Sequence, residues 1–432
     1  MEKSNYKIYG YRWVILIIFA LLNAVIQMVW ITFAPVTVDA MRLYHTSAFW
    51  IVLLSMSFML VYLIFSMPAS YIIDKYGIRV GVGIGALLMA VFGYLRGVYG
   101  TDYAMICISQ FALAVAQPFI MNAITKVAAE WFPINERATA SGITALAQIV
   151  GVIAALALTK PIAQAFLPES ANGHLDLNSM QSMLKVYGYI CIGVTVLFLI
   201  FVKEKPPTPP CLDKDSSRIS VREGRKYIFR NKDMLLLLMI FFIGMGMFNA
   251  ITTFVDLISA SKGYLADANE SGLIGAIMMG AGILGAAIVP VISDRTRKRK
   301  FFLVLCLSGM VPGLIGFTFF RSMVPLLISS GIFGFFFMAA APIGYQYAAE
   351  LSHPAPESTS LGFINLVGQF SGIIFITLMA VFGNVSMAAF ADATKAANTI
   401  TLTPFMIGFI VLAVLNVILS IRIKESTMVK GH

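Results

Sequence analysis

The sequence predicts an all-α membrane protein with twelve transmembrane helices in two pseudo-symmetric six-helix bundles. Three observations carry that reading. The 432 residues are 59% hydrophobic and only 12% charged, about half the charge of a soluble globular chain. Twelve continuously apolar runs are long enough to be compared with the ~20 residues a helix needs to cross a bilayer. Residue patterns in the first half return in the second at a nearly constant offset. A soluble enzyme, a nucleic-acid binder and a disulfide scaffold are excluded as first readings, and the formal charge of +10 becomes a topology signal.

In chain order the runs cover about 13–35, 48–73, 79–98, 103–127, 139–161 and 184–202, then 234–259, 271–293, 301–320, 324–349, 359–382 and 403–421. They lack the alternating hydropathy of a barrel strand. The first is too long for a signal-peptide core and reads as a retained helix. Between the sixth and seventh runs, residues 203–233 combine Pro206, Pro207, Pro209 and Pro210 with nine basic residues. That composition marks a linker joining a bundle at 1–202 to a second bundle with its tail at 234–432. With a cytoplasmic N-terminus, 24 of the 31 Lys and Arg fall on the inner side. The positive-inside rule therefore predicts that both termini are cytoplasmic, and a multi-pass protein of the plasma membrane is expected. Its basic linker makes the lipid bilayer itself a partner.

The repeat supports the two halves. Asp74 returns as Asp294, and Ala128-Ala129-Glu130 as Ala348-Ala349-Glu350, both at an offset of 220. One residue further out of phase, Gln148 and Gly151 return as Gln369 and Gly372, while Asn23-Ala24 in the first run matches Asn249-Ala250 in the seventh. A parallel duplication of six helices is the arrangement in which two bundles rock about a site at the bilayer midplane.

The stretch SYIIDKYGIR, residues 70–79, resembles the G-x3-D-R-x-G-R-K signature of the major facilitator superfamily, with Ser70 for the first Gly and Lys75 for the first Arg. Asp294-Arg295 with its following basic cluster is the second copy. The resemblance implies a cytoplasmic gate made by Asp74, Gly77 and Arg79, with Glu130 and Arg137 nearby and Asp294 and Arg295 in the other half. Carboxylates and guanidinium groups at helix ends can pair there and hold one side shut.

Read together, Tyr11 to Val14, Asn23-Ala24, Ser55 to Tyr62, Asp74 to Arg79, Val115 to Gln117 and Trp131-Phe132 with Glu136 resemble the feline leukaemia virus subgroup C receptor-related transporters. Members of that family are associated with choline, ethanolamine and haem. Where the family holds choline with a Trp in helix one and a Tyr in helix seven, this chain has Gln27 and Asn249. The site glutamines of the family are matched by Gln117 and Gln369, and Trp30, three residues after Gln27, supplies an aromatic wall near the same face. Four histidines at 45, 174, 353 and 432 lie in loops or at a terminus, so no axial haem ligand, metal or cofactor is expected.

Polar side chains inside hydrocarbon face a cavity or another helix. Those near mid-helix, including Asn23, Gln27, Gln117, Asn249 and Gln369, are all neutral amides, which suit a small polar solute because they both donate and accept. Asp256, in the outer third of helix seven, is the one carboxylate placed to serve a coupling proton or cation. The expected function is a monomeric secondary transporter of a small polar organic solute working by alternating access. A choline or ethanolamine uniporter and a proton-coupled symporter of an organic anion or vitamin are the alternatives, with a transporter-like membrane sensor as the other class. No nucleophile, metal cluster or paired acid suggests an enzyme, and no nucleic-acid partner is expected. Sequons at Asn269 and Asn384 fall on the predicted outer side.

Overall fold

The computed structural model describes residues 8–167, 175–208, 228–262, 270–296, 298–352, 357–382 and 402–424, so both sequons lie outside the described residues. The chain separates into two compact units, 1–214 and 215–432, a boundary that falls inside the 203–233 stretch. The first unit contains α1 (Arg12–Trp30), a 3-10 turn (Ala34–Val36), α2 (Thr37–Leu43), α3 (Ala48–Val98), α4 (Tyr103–Met121), α5 (Ile124–Trp131), α6 (Ile134–Gln164) and α7 (Leu177–Phe201). The second contains α8 (Lys232–Thr253), α9 (Val255–Ala260), α10 (Glu270–Thr296), α11 (Arg299–Phe319), α12 (Met323–Ser352), α13 (Glu357–Phe382) and α14 (Thr403–Arg422). Among the described residues eleven helical segments are long and apolar enough to cross a membrane, and the 51-residue α3 holds two of the twelve predicted runs.

Gly77 divides α3. Its φ of +92° and ψ of 178° are not helical, and glycine is the residue that tolerates a positive φ. The chain folds back there: a methyl group added to Gly81 would stand 2.9 Å from the Cα of Ile73, two positions that a straight helix would separate by about 12 Å. The second arm begins with backbone N–H groups that have no helical acceptor. The carboxylate of Glu204 takes two of them, from Ile78 at 2.8 Å and Arg79 at 2.7 Å. A Cβ on Gly77 would lie 2.1 Å from a Glu204 oxygen, so the turn and its cap require glycine together. The start of the predicted linker is thus packed on the first unit, where the Tyr9 hydroxyl also meets Thr208 at 3.1 Å.

Two predicted runs of the first unit are broken. The run at 13–35 ends as a helix at Trp30, because Pro35 has no N–H for the carbonyl four residues back and sits in the 3-10 turn that follows. The Ile31 carbonyl accepts from the Ala34 N–H in that turn, and two carbonyls left at the helix end are taken by a side chain: Thr32 Oγ1 donates to Met28 and Val29, both at 3.0 Å. In helix four, where Pro118 predicts a local opening, the break comes four residues later at Asn122. Asn122 Nδ2 donates to the carbonyl and hydroxyl of Ser66 and to Ser70 Oγ at 3.0–3.1 Å, while its Oδ1 accepts from the Tyr62 hydroxyl at 2.9 Å.

Close helix contact sets the spacing of the first unit. A Cβ on Gly151 of α6 would fall 1.9 Å from the carbonyl oxygen of Ala24 on α1, whereas one on Gly142 of the same helix would meet nothing within 4 Å. Gly151→Ala is expected to cost about 2 kcal/mol, since backbone must move to admit the methyl group. Gly142→Ala should leave the thermal midpoint in detergent unchanged or slightly raised, and equal midpoints for the two variants would refute the close contact. Glu204→Ala should remove about 1 kcal/mol of capping and accelerate hydrogen exchange at the Ile78 and Arg79 amides about fivefold, with Glu204→Gln intermediate.

Candidate functional site

In the first unit the amides along α1 divide into a saturated pair and an unsaturated one. Asn23 is fully buried. Its Nδ2 donates to the Phe19 carbonyl at 3.0 Å and its Oδ1 accepts from Gln148 Nε2 at 2.9 Å, so it fastens α1 to α6. One turn on, Gln117 Nε2 of α4 donates to Gln27 Oε1 at 3.1 Å. Gln117 is 4% exposed, and its own Oε1 is buried with no hydrogen-bond partner. A buried carbonyl oxygen left unmatched costs about 1–3 kcal/mol, and a solute donor reaching it would recover that. Gln27 is half-buried beside it. Trp30 is not part of this pair: its indole N–H donates to the Ser55 carbonyl at 3.0 Å, which commits the ring to α3.

In the second unit Asn249 on α8 is 9% exposed and Gln369 on α13 is half-buried. The two helices pack closely there, with Gly246 against Ser371 and Phe375 and Gly368 against Met245. Phe248 stacks on Phe337 at 4.5 Å and Tyr345 on Phe241 at 5.2 Å, giving this unit the aromatic surface that α1 lacks at Gln27. Helix seven is interrupted at Phe254, and Asp256 follows in α9 at 5% exposure. The hydroxyls of its neighbours Thr252, Thr253 and Ser259 are buried without a hydrogen bond.

The charged residues at the Gly77 end take partners that the sequence reading did not foresee. Asp74 and Arg79 are both exposed. Asp74 contributes its carbonyl, which with that of Ile73 accepts from Lys126 Nζ at 3.1 and 2.6 Å, closing the end of the first arm of α3. Arg79 contributes its backbone N–H to Glu204. Glu130 faces Lys205 at 3.9 Å, Arg137 donates to the Ala129 and Phe132 carbonyls, and Arg12 pairs with Glu136 at 2.9 Å. In the second unit Arg295 is exposed and the Asp294 side chain lies outside the described residues. Arg299 and Glu350 form a largely buried pair at 2.5 Å. These two are the offset partners of Arg79 and Glu130, so the duplicated positions pair directly in one unit, while in the other Glu204 and Lys205 stand in. The only sequence signal for that substitution was an acid between two lysines at 203–205, ahead of the prolines.

Comparison with known proteins agrees with this architecture. The sequence pattern of the Major Facilitator Superfamily matches residues 15–376. The chain is 28% identical over 384 residues to the choline/ethanolamine transporter flvcr2b of Danio rerio, covering 85% of this chain and 77% of that one. It is 29% identical over 398 residues to solute carrier family 49 member A3 of Xenopus tropicalis, covering 87% and 79%. The human choline/ethanolamine transporter FLVCR2 is 27% identical over 389 residues, covering 87% and 72%. In fold the chain is similar to an inward-facing, unoccupied bacterial homologue of the human lysosomal transporter Spinster, with a TM-score of 0.75, 13% identity and coverage of 96% and 97%. A D-xylose-proton symporter gives 0.73 and 13%, covering 97% and 99%; at such identity these structures speak for the fold alone. With eleven apolar helical segments among the described residues, a duplicated loop motif and a superfamily pattern that runs through both units, the chain belongs to the Major Facilitator Superfamily of membrane transporters.

Proposed function

We propose that this transporter moves a small polar organic solute by alternating access, with Gln27 and Gln117 among the side chains that touch it. The observation that carries the reading is the buried, unpartnered Oε1 of Gln117 beside the half-buried Gln27, a spot within the bundle that can accept from a solute donor. Gln369 and Asn249 are the amides the second unit offers for the same task. The reading includes cytoplasmic termini, which the distribution of Lys and Arg supports, together with a monomer in the plasma membrane, and no enzymatic turnover is expected. Uniport is favoured, and Asp256 is the group assigned to a coupling proton or cation if the solute is concentrated against its gradient. A second reading, choline or ethanolamine as cargo, rests on the names of the relatives. The absence of an aromatic residue at position 27 weighs against it, because an ammonium cage relies on aromatic faces.

A thermal-shift screen over amines, amino acids, vitamins and organic acids tests the reading directly, since a ligand that binds the folded state raises its apparent stability by mass action. The solute so identified should bind Gln117→Ala about tenfold more weakly than the parent, the equivalent of one buried polar partner lost. Unchanged affinity would make the glutamine a packing residue. The charged cluster around Gly77 is assigned to the gate. Asp74→Asn should therefore raise thiol labelling of single-cysteine reporters placed along the inner cavity, and labelling identical to the parent with normal uptake would reduce the motif to topology.

A further inference from the structure

Arg96 lies near the end of the second arm of α3 and is completely buried. Arginine does not give up its proton in proteins, so a full positive charge stands inside the bundle, and no carboxylate pairs with it among the described residues. Its partners are instead neutral oxygens. Nη1 donates to Gln110 Oε1 at 2.6 Å and to the Val29 carbonyl at 3.3 Å, Nη2 reaches Thr32 Oγ1 at 3.5 Å, and the Phe33 ring lies 5.9 Å from the guanidinium carbon. Gln110 Nε2 also donates to the Val29 carbonyl, at 3.4 Å. Val29 is the penultimate residue of α1, so the cation sits where the negative end of that helix is exposed by the break. The second unit has Gly316 at the position offset by 220, and its break at Phe254 is bridged by backbone bonds from Phe254 to Ala250 and from Ile258 to Phe254.

Gln110 and Gln117 are seven residues apart, hence on one face of α4, and both bind α1: one at Val29, the other at Gln27. We propose that Arg96, acting through Gln110 and the Val29 carbonyl, is a positioning residue that fixes the end of α1 and so holds Gln27 opposite Gln117. The inference rests on the reading of that glutamine pair as a solute contact, but its test does not need the solute.

In a background without native cysteines, Gln27→Cys with Gln117→Cys would be cross-linked by a short bis-methanethiosulfonate reagent in the full chain, with Asn23→Cys and Gln148→Cys as the control pair on α1 and α6. Arg96→Gln should slow cross-linking of the first pair at least tenfold and leave the control pair within twofold. Arg96→Lys keeps the charge but not the fork, and should retain the first pair to within about threefold. Gln110→Leu should reproduce the loss, and it keeps the test decisive if Arg96→Gln does not yield folded protein. Cross-linking of the first pair at the parental rate in Arg96→Gln or Gln110→Leu overturns the proposal, as does an equal loss at both pairs, which would make Arg96 a general stabiliser. Failure of the solute reading shows elsewhere, as undiminished solute binding by Gln117→Ala.

Discussion

A backbone carbonyl or N–H released inside hydrocarbon finds no water, and this constraint explains most of the side chains that stand out in the first unit. Each interruption of a helix described in this unit is closed by a specific polar group. After Trp30 the freed carbonyls go to Thr32, Gln110 and Arg96. At the exposed turn of Gly77, between two membrane runs, the same groups are met in the same way: the incoming N–H groups go to Glu204, and the outgoing carbonyls to Lys126. At Asn122 the side chain itself bridges to Ser66 and Ser70 on α3. The breaks are where the bundle is able to bend, and the residues that close them are where bending can be controlled.

The apolar runs and their number were legible because hydrocarbon imposes a length and a composition that no local contact overrides. Gln27 and Gln117 were each singled out by family likeness, and the structure adds that they pair and which atom remains unmatched. Other features were hidden for identifiable reasons. Glu204 lies in a basic segment more than a hundred residues from the turn it caps, and nothing local announces such a contact. Arg96 falls at the end of a predicted run, where an arginine reads as one more boundary charge. Pro35 was in view, but hydropathy alone carried a single helix up to it.

The two halves keep the same positions and use them differently. Arg299 and Glu350 meet directly in a partly dehydrated setting, where loss of one partner strands the other charge. Their counterparts Arg79 and Glu130 are parted, one exposed at a capped helix start and the other facing a lysine from the following segment. An exposed contact at 3.9 Å is worth little and is readily screened by salt. The conserved spacing of the duplication therefore does not carry a conserved strength.

The Asn23–Gln148 contact has a consequence for how such a chain can diverge by descent. Gln148 Nε2 answers the buried Oδ1 of Asn23, so altering Gln148 alone leaves that oxygen without its partner, and viable lineages should change Gln148 only together with Asn23. Gln117 carries an oxygen that no residue of its own bundle answers. Its Nε2 is tied only to the half-buried Gln27, so the cargo of a lineage can shift through this one pair while the scaffold held by Asn23 stays as it was.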